Sequence, residues 1–169
     1  SRAQIVFDNL SHEKKIPLIV HVLISPGFVD GVRIRAEQYD EVSDRYARFL
    51  LEEILPDVGK RYHLRQDGYS RAIAGDSSGG ICAFNAAWQR PDAFGKVVCH
   101  CGSFVDIRGA HQLAPAVRRS ETTKPLRVFL QTGENDLDII FGRWVEANRE
   151  LAAALAYRGY EHQLVVGRG

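Results

Sequence analysis

The chain has 169 residues, 45% of them hydrophobic and 25% charged, with a net charge of +1. That is the size and composition of one globular domain, and it excludes a strongly basic nucleic-acid binder and an acidic tail protein. The longest apolar run, residues 16–24, is interrupted by Pro17 and His21 and falls well short of the roughly 18–20 residues of a membrane span, so no membrane partner is expected.

The pattern along the chain alternates strand and helix. Residues 17–24 (PLIVHVLI) are apolar and β-branched, as a buried strand should be. Residues 25–27 (SPG) break it. Residues 41–62 read as a helix with Val42, Tyr46, Phe49, Leu50 and Ile54 on one stripe, kinked or restarted at Pro56. Residues 69–74 form a short strand ending at Gly75, and residues 78–90 a small-residue helix closed by Pro91. Residues 96–101 are the next strand. Residues 104–124 show little periodicity. Residues 126–131 (LRVFLQ) form another strand, followed by a polar loop at 133–138 (GENDLD). Residues 141–158 are helical, with Trp144, Ala147, Leu151 and Leu155 on one stripe and Gly159 at the C′ position. Residues 160–166 form a last strand. Strands separated by helices imply one α/β domain over residues 1–169, a mostly parallel sheet with helices on both faces. Its ligand site should lie beyond the carboxyl ends of the strands.

Those loops carry chemistry. Gly75, Ser77 and Gly79 match G-x-S-x-G, the nucleophile elbow, in which a strand turns sharply into a helix and holds a serine at the tip. The competing reading is a glycine-rich turn with an N-capping serine. GDSSGG lacks the lysine of a P-loop. A serine hydroxyl needs a base, and in this type of site the chain order is Ser, then Asp or Glu, then His. Asp136 is the first choice of acid, Asp138 the second and Glu134 a distant third. The plain alternative for all three is a solvated acidic loop. The histidine should follow the last strand, and none of the six histidines occupies that place. His162 lies within the strand and His100 is a weak substitute. The N–H of Ser78 is one expected oxyanion donor, with Gly27 or Phe28 supplying the other.

Cys82, Cys99 and Cys101 are too few for a disulfide framework. A strand over residues 96–103 puts Cys99 and Cys101 on one face and His100 on the other, so no metal site is expected. No cofactor is implied. Free thiols favour the cytoplasm weakly, with secretion or a periplasmic location left open.

Several runs resemble the esterases of the enterochelin esterase and esterase D group. They are RAIAGDSSGG from Arg71, PDAFGKV from Pro91, GSF from Gly102, LRVFLQTGENDLD from Leu126 and RAEQYD from Arg35. The resemblance spans residues 16–169. It implies an α/β-hydrolase fold and carboxylic ester hydrolysis by a Ser–His–Asp arrangement, with Ser77 as nucleophile and Asp136 as acid. In that group the last strand runs into Gly-x-His, so the base is expected just after Gly169. The chain has no methionine and begins at Ser1, so missing residues are expected at both ends. A small-molecule ester is the expected partner. Arg35, Tyr39 and Trp144 are candidate substrate contacts, against a solvated basic loop with a packing tyrosine and a core tryptophan. The alternatives in function are a non-catalytic binding domain of the same fold, or an acyltransferase using the same triad.

Overall fold

The structure, a computed structural model, describes residues 2–168. Helix α1 (Ala3–His12) opens it. A small hairpin follows, β1 (Phe28–Val29) against β2 (Val32–Arg33). Its turn residues Asp30 and Gly31 have φ of 50° and 77°, the left-handed pair that a tight two-residue hairpin turn requires. Short helix α2 (Arg35–Tyr39) leads into α3 (Arg45–Phe49), a wide π turn at Leu50–Ile54, and α4 (Leu55–Gly59). The expected kink at Pro56 thus takes the form of a π turn. Proline has no N–H, and its ring crowds the carbonyl four residues earlier, so the preceding turn widens.

The centre of the fold comes next. Strand β3 (Ala72–Asp76) is followed by α5 (Ser78–Gln89) and β4 (Lys96–His100). Helix α6 (Leu113–Arg119) precedes β5 (Arg127–Gly133). A second small hairpin, β6 (Asp138–Ile139) with β7 (Gly142–Arg143), leads to α7 (Trp144–Tyr157) and β8 (Glu161–Gly167). Strands β3, β4, β5 and β8 lie side by side in that order, all parallel. Each returns through a helical crossover, as parallel pairing demands.

In register, Val97 faces Val128 and Cys99 faces Leu130. These four are buried and share one core with Phe84 of α5, Leu113 and Val117 of α6, and Leu151 and Leu155 of α7. The period-2 alternation of the strands meets helix stripes of period 3.6, and burying both removes apolar surface from water. The chain is therefore a mixed α/β fold with a parallel sheet flanked by helices, consistent with an α/β-hydrolase-like fold.

Two sequence expectations need correction. Residues 17–24 form no strand, and Leu18 and Leu23 are 93% and 85% exposed. β-propensity describes a surface that fits a sheet, but a strand exists only when a neighbour accepts its hydrogen bonds. Here β3 is the sheet edge, and the run instead lies against α1, where Phe7 meets His21 at 4.6 Å between rings. Residues 104–124 are not wholly irregular either. Leu113, Ala114 and Val117 give α6 a short buried face.

The strand ends are stitched together where the site is expected. Ser77 N donates to His100 O at 2.9 Å, and Glu134 N donates to Gly167 O at 2.8 Å. Cys101 N donates to Gln131 O between them, so the carboxyl ends of β3, β4, β5 and β8 form one continuous rim.

Candidate active site

Ser77 sits between β3 and α5 with φ 55° and ψ −120°, a conformation that costs a non-glycine residue free energy and recurs at functional turns. The neighbouring geometry explains the first glycine of the motif and not the second. A Cβ on Gly75 would lie 2.1 Å from Gly79 O, so only glycine fits before the turn. A Cβ on Gly79 would meet nothing within 4 Å. On Gly80 it would come within 2.9 Å of Gly102 Cα, because α5 passes close to the loop after β4. The Ser77 side chain makes no capping bond to α5, which removes the N-cap reading. Its Oγ lies 3.0 Å from Ser103 Oγ instead.

The acidic loop separates its three carboxylates. Asp136 is half-buried and anchored twice. Thr132 Oγ donates to its Oδ2 at 2.8 Å, and Leu137 N donates to its Oδ1 at 2.8 Å. Asp138 is exposed and faces Arg143 at 3.8 Å, and Glu134 pairs with Arg149 at 2.6 Å. The two bonds to backbone and buried hydroxyl fix the orientation of the Asp136 carboxylate. Cys101 stands beside it. Burial raises the pKa of this thiol, and the charges of Asp136 and Asp76 push it the same way. Cys99 is fully buried at the end of β4, while Cys101 lies past the strand with φ 47°.

Ser78 is the first residue of α5, where a backbone N–H has no partner within the helix. Its hydroxyl accepts from Arg35 Nη1 at 2.8 Å, so α2 brings a guanidinium to the elbow. Tyr39 stacks behind, with Arg35 5.8 Å from its ring centroid. The Tyr39 hydroxyl donates to Ile24 O at 3.0 Å, which ties it to the chain, and burial raises its pKa. Gly27 N donates to Gln38 Oε1 at 2.8 Å, so that expected oxyanion donor is already engaged. Phe28 follows it as the first residue of β1.

Trp144 is buried, 3% exposed, so it lines the core and not an open pocket. Its indole N–H donates to Ser103 Oγ at 3.0 Å. One turn later on α7, Asn148 Nδ2 donates to Gly102 O at 2.8 Å. Ser103 itself is a residue that sequence reasoning did not single out.

Three of the histidines are engaged elsewhere. His100 Nδ1 is 2.6 Å from Gln131 Oε1, and its ring meets Phe129 edge-on at 6.2 Å. His162 Nδ1 is 2.9 Å from Tyr160 O, and His111 pairs with Asp106 at 2.9 Å. The base expected after Gly169 lies outside the described residues. Arg168 lies beside the acid loop, where Asn135 Nδ2 donates to its carbonyl oxygen at 3.0 Å.

Comparison with known proteins bears on this arrangement. The family model described as "Putative esterase" matches residues 1–167. An uncharacterized protein of Bacillus subtilis, YjcH, is 29% identical across 80% of this chain and 62% of its own length. The iron(III) enterobactin esterase of Dickeya dadantii is 29% identical across 70% of this chain and 29% of its own. The crystal structure of the enterochelin esterase from Shigella flexneri superposes with a TM-score of 0.77 at 25% identity, covering 97% of this chain and 41% of that one. The chain thus spans less than two thirds of the length of each of these relatives.

Proposed function

Because this chain belongs to the esterase family, we propose that it hydrolyses carboxylic esters with Ser77 as the nucleophile. The backbone of Ser77 is the observation that supports this most. Its strained φ and ψ at a strand-to-helix junction, in a half-buried residue whose side chain does not cap α5, suit an attacking group better than a structural one.

In this reading Ser77 Oγ bonds to the ester carbonyl carbon while its proton passes to a base. The carbonyl electrons move onto oxygen, and collapse expels the alcohol, which takes that proton. Water then repeats the sequence on the acyl-enzyme. The base is proposed to be a histidine following Gly169. The bonds from the acid loop to Gly167 O and Arg168 O favour this, since they bring the outgoing chain past Asp136. Asp136 would hold the imidazole tautomer. The N–H of Ser78 would meet the oxyanion. The Gly27 N–H is engaged with Gln38, so the second donor from that segment falls to Phe28.

The substrate is proposed to be a small-molecule ester with an aromatic or anionic acyl part. The Arg35 guanidinium at the elbow would bind it, backed by Tyr39. Two relatives are named as esterases of iron(III) enterobactin, a small-molecule ester class in keeping with this reading. Hydrolysis of a nitrophenyl acetate and of an ester with a phenolic acyl group by the whole protein tests the proposal. Loss of both activities in Ser77→Ala is expected, and full activity in that variant would overturn it.

A further inference from the structure

We propose that Ser103 is a positioning residue for the Ser77 hydroxyl, with its own direction set by Trp144. The inference rests on the reading of Ser77 as nucleophile. An indole N–H can only donate, so in the 3.0 Å pair between Trp144 and Ser103 the serine oxygen accepts. A hydroxyl carries one proton. The other neighbour of Ser103 Oγ is Ser77 Oγ at 3.0 Å, and among the described residues no further acceptor takes the Ser103 proton. Ser103 is 1% exposed, so bulk water does not compete. The proton therefore goes to Ser77, and Ser77 Oγ accepts.

The consequence is directional. With one lone pair of Ser77 Oγ filled by Ser103, its own proton must point elsewhere, towards the open side of the elbow where a base can take it. During attack one lone pair forms the new bond to carbon, and the O–H bonding pair stays on oxygen as the proton leaves. The bond from Ser103 can persist throughout. A hydroxyl left free to rotate would spend time in orientations from which no base can take its proton.

The placement of Ser103 is itself held. Ser103 N donates to Ser77 O at 3.2 Å. Asn148 Nδ2 fixes the preceding carbonyl, Gly102 O, at 2.8 Å. Trp144 and Asn148 lie one turn apart on α7, so one helix grips both the side chain and the backbone of this loop. Both Trp144 and Asn148 are buried, which limits alternative rotamers.

The test is the rate at which a fluorophosphonate labels Ser77 in the whole protein, measured beside kcat and KM for an ester. Ser103→Ala should slow labelling and lower kcat about tenfold, with KM little changed, as loss of one aligning hydrogen bond implies. Trp144→Phe should slow labelling less, and should add nothing to Ser103→Ala in the double variant. It also provides an independent route if Ser103→Ala does not fold. Wild-type labelling in both single variants, or additive effects in the double variant, would overturn the inference. A wild type not labelled at Ser77 would overturn the nucleophile reading and this inference with it. The two failures are therefore distinguishable.

Discussion

The Thr132 hydroxyl donates to Asp136 Oδ2 at 2.8 Å from a fully buried position on β5. It is this bond, together with the Leu137 N–H on Oδ1, that distinguishes Asp136 from the two carboxylates beside it. If Asp136 orients the base, Asp136→Asn should lower kcat by about 100-fold or more, because an amide stabilises the wrong tautomer. Thr132→Val leaves the charge and loosens the carboxylate, so a fall of about tenfold is expected. Asp138→Asn should stay near wild type. Steady-state ester hydrolysis by the three variants checks the order.

Gly75 and Gly79 look equivalent in the motif and should not behave alike. Gly75→Ala drives a Cβ into Gly79 O and should cost roughly 1–3 kcal/mol or more of folding stability. Gly79→Ala enters open space within α5, where alanine favours the helix by about 0.5–1 kcal/mol. Urea melts of both variants against wild type should move in opposite directions.

Cys101 should respond to the presence of the Asp136 carboxylate. Its thiolate is disfavoured by burial and by that carboxylate, so the thiol persists above its ordinary titration range. Its alkylation by iodoacetamide should stay slow at neutral pH and rise at more alkaline pH than for a free cysteine. Asp136→Asn removes the like charge, so the profile should shift to lower pH. Peptide mass spectrometry of Cys101 follows the rate. An unmoved profile would mean that the carboxylate does not face the thiol in solution.

Arg35 should matter for what is bound more than for bond breaking. Arg35→Gln removes the guanidinium from Ser78 Oγ. KM for an ester with an anionic or phenolic acyl group should rise roughly fivefold to tenfold, the effect of losing one charge-assisted contact. KM for a neutral acetyl ester should rise less. Equal increases for both would remove the substrate role.

What could be read from sequence follows the range of each interaction. Ser77 was legible because its signal is local: two glycines and a strand-to-helix switch lie within five residues. The loop that carries Asp136 was legible as a turn after a strand, but the two bonds that set Asp136 apart from Asp138 were not. Ser103 was not, because its partners Ser77 and Trp144 lie 26 and 41 residues away and no periodicity links them. That β3, β4, β5 and β8 run parallel followed from alternation with helices, but their order in the sheet did not. The run at 17–24 failed for a related reason: composition states that a segment could pair, but never with what. Helix α6 was hidden because its apolar face is only three residues, Leu113, Ala114 and Val117, and Pro115 lies inside it.

That misread run has a practical outcome in solution. Leu18, Ile19, Val20, Val22 and Leu23 are all more than a third exposed, with no Asp, Glu, Lys or Arg among residues 16–24. The open edge of β3 and a β-branched ribbon kept out of the sheet are what a second molecule would need to add edge to edge. Turbidity of this chain should rise with concentration and temperature before the core melts. A lysine in place of Val20 should raise its working solubility while leaving the Ser77 elbow as it is.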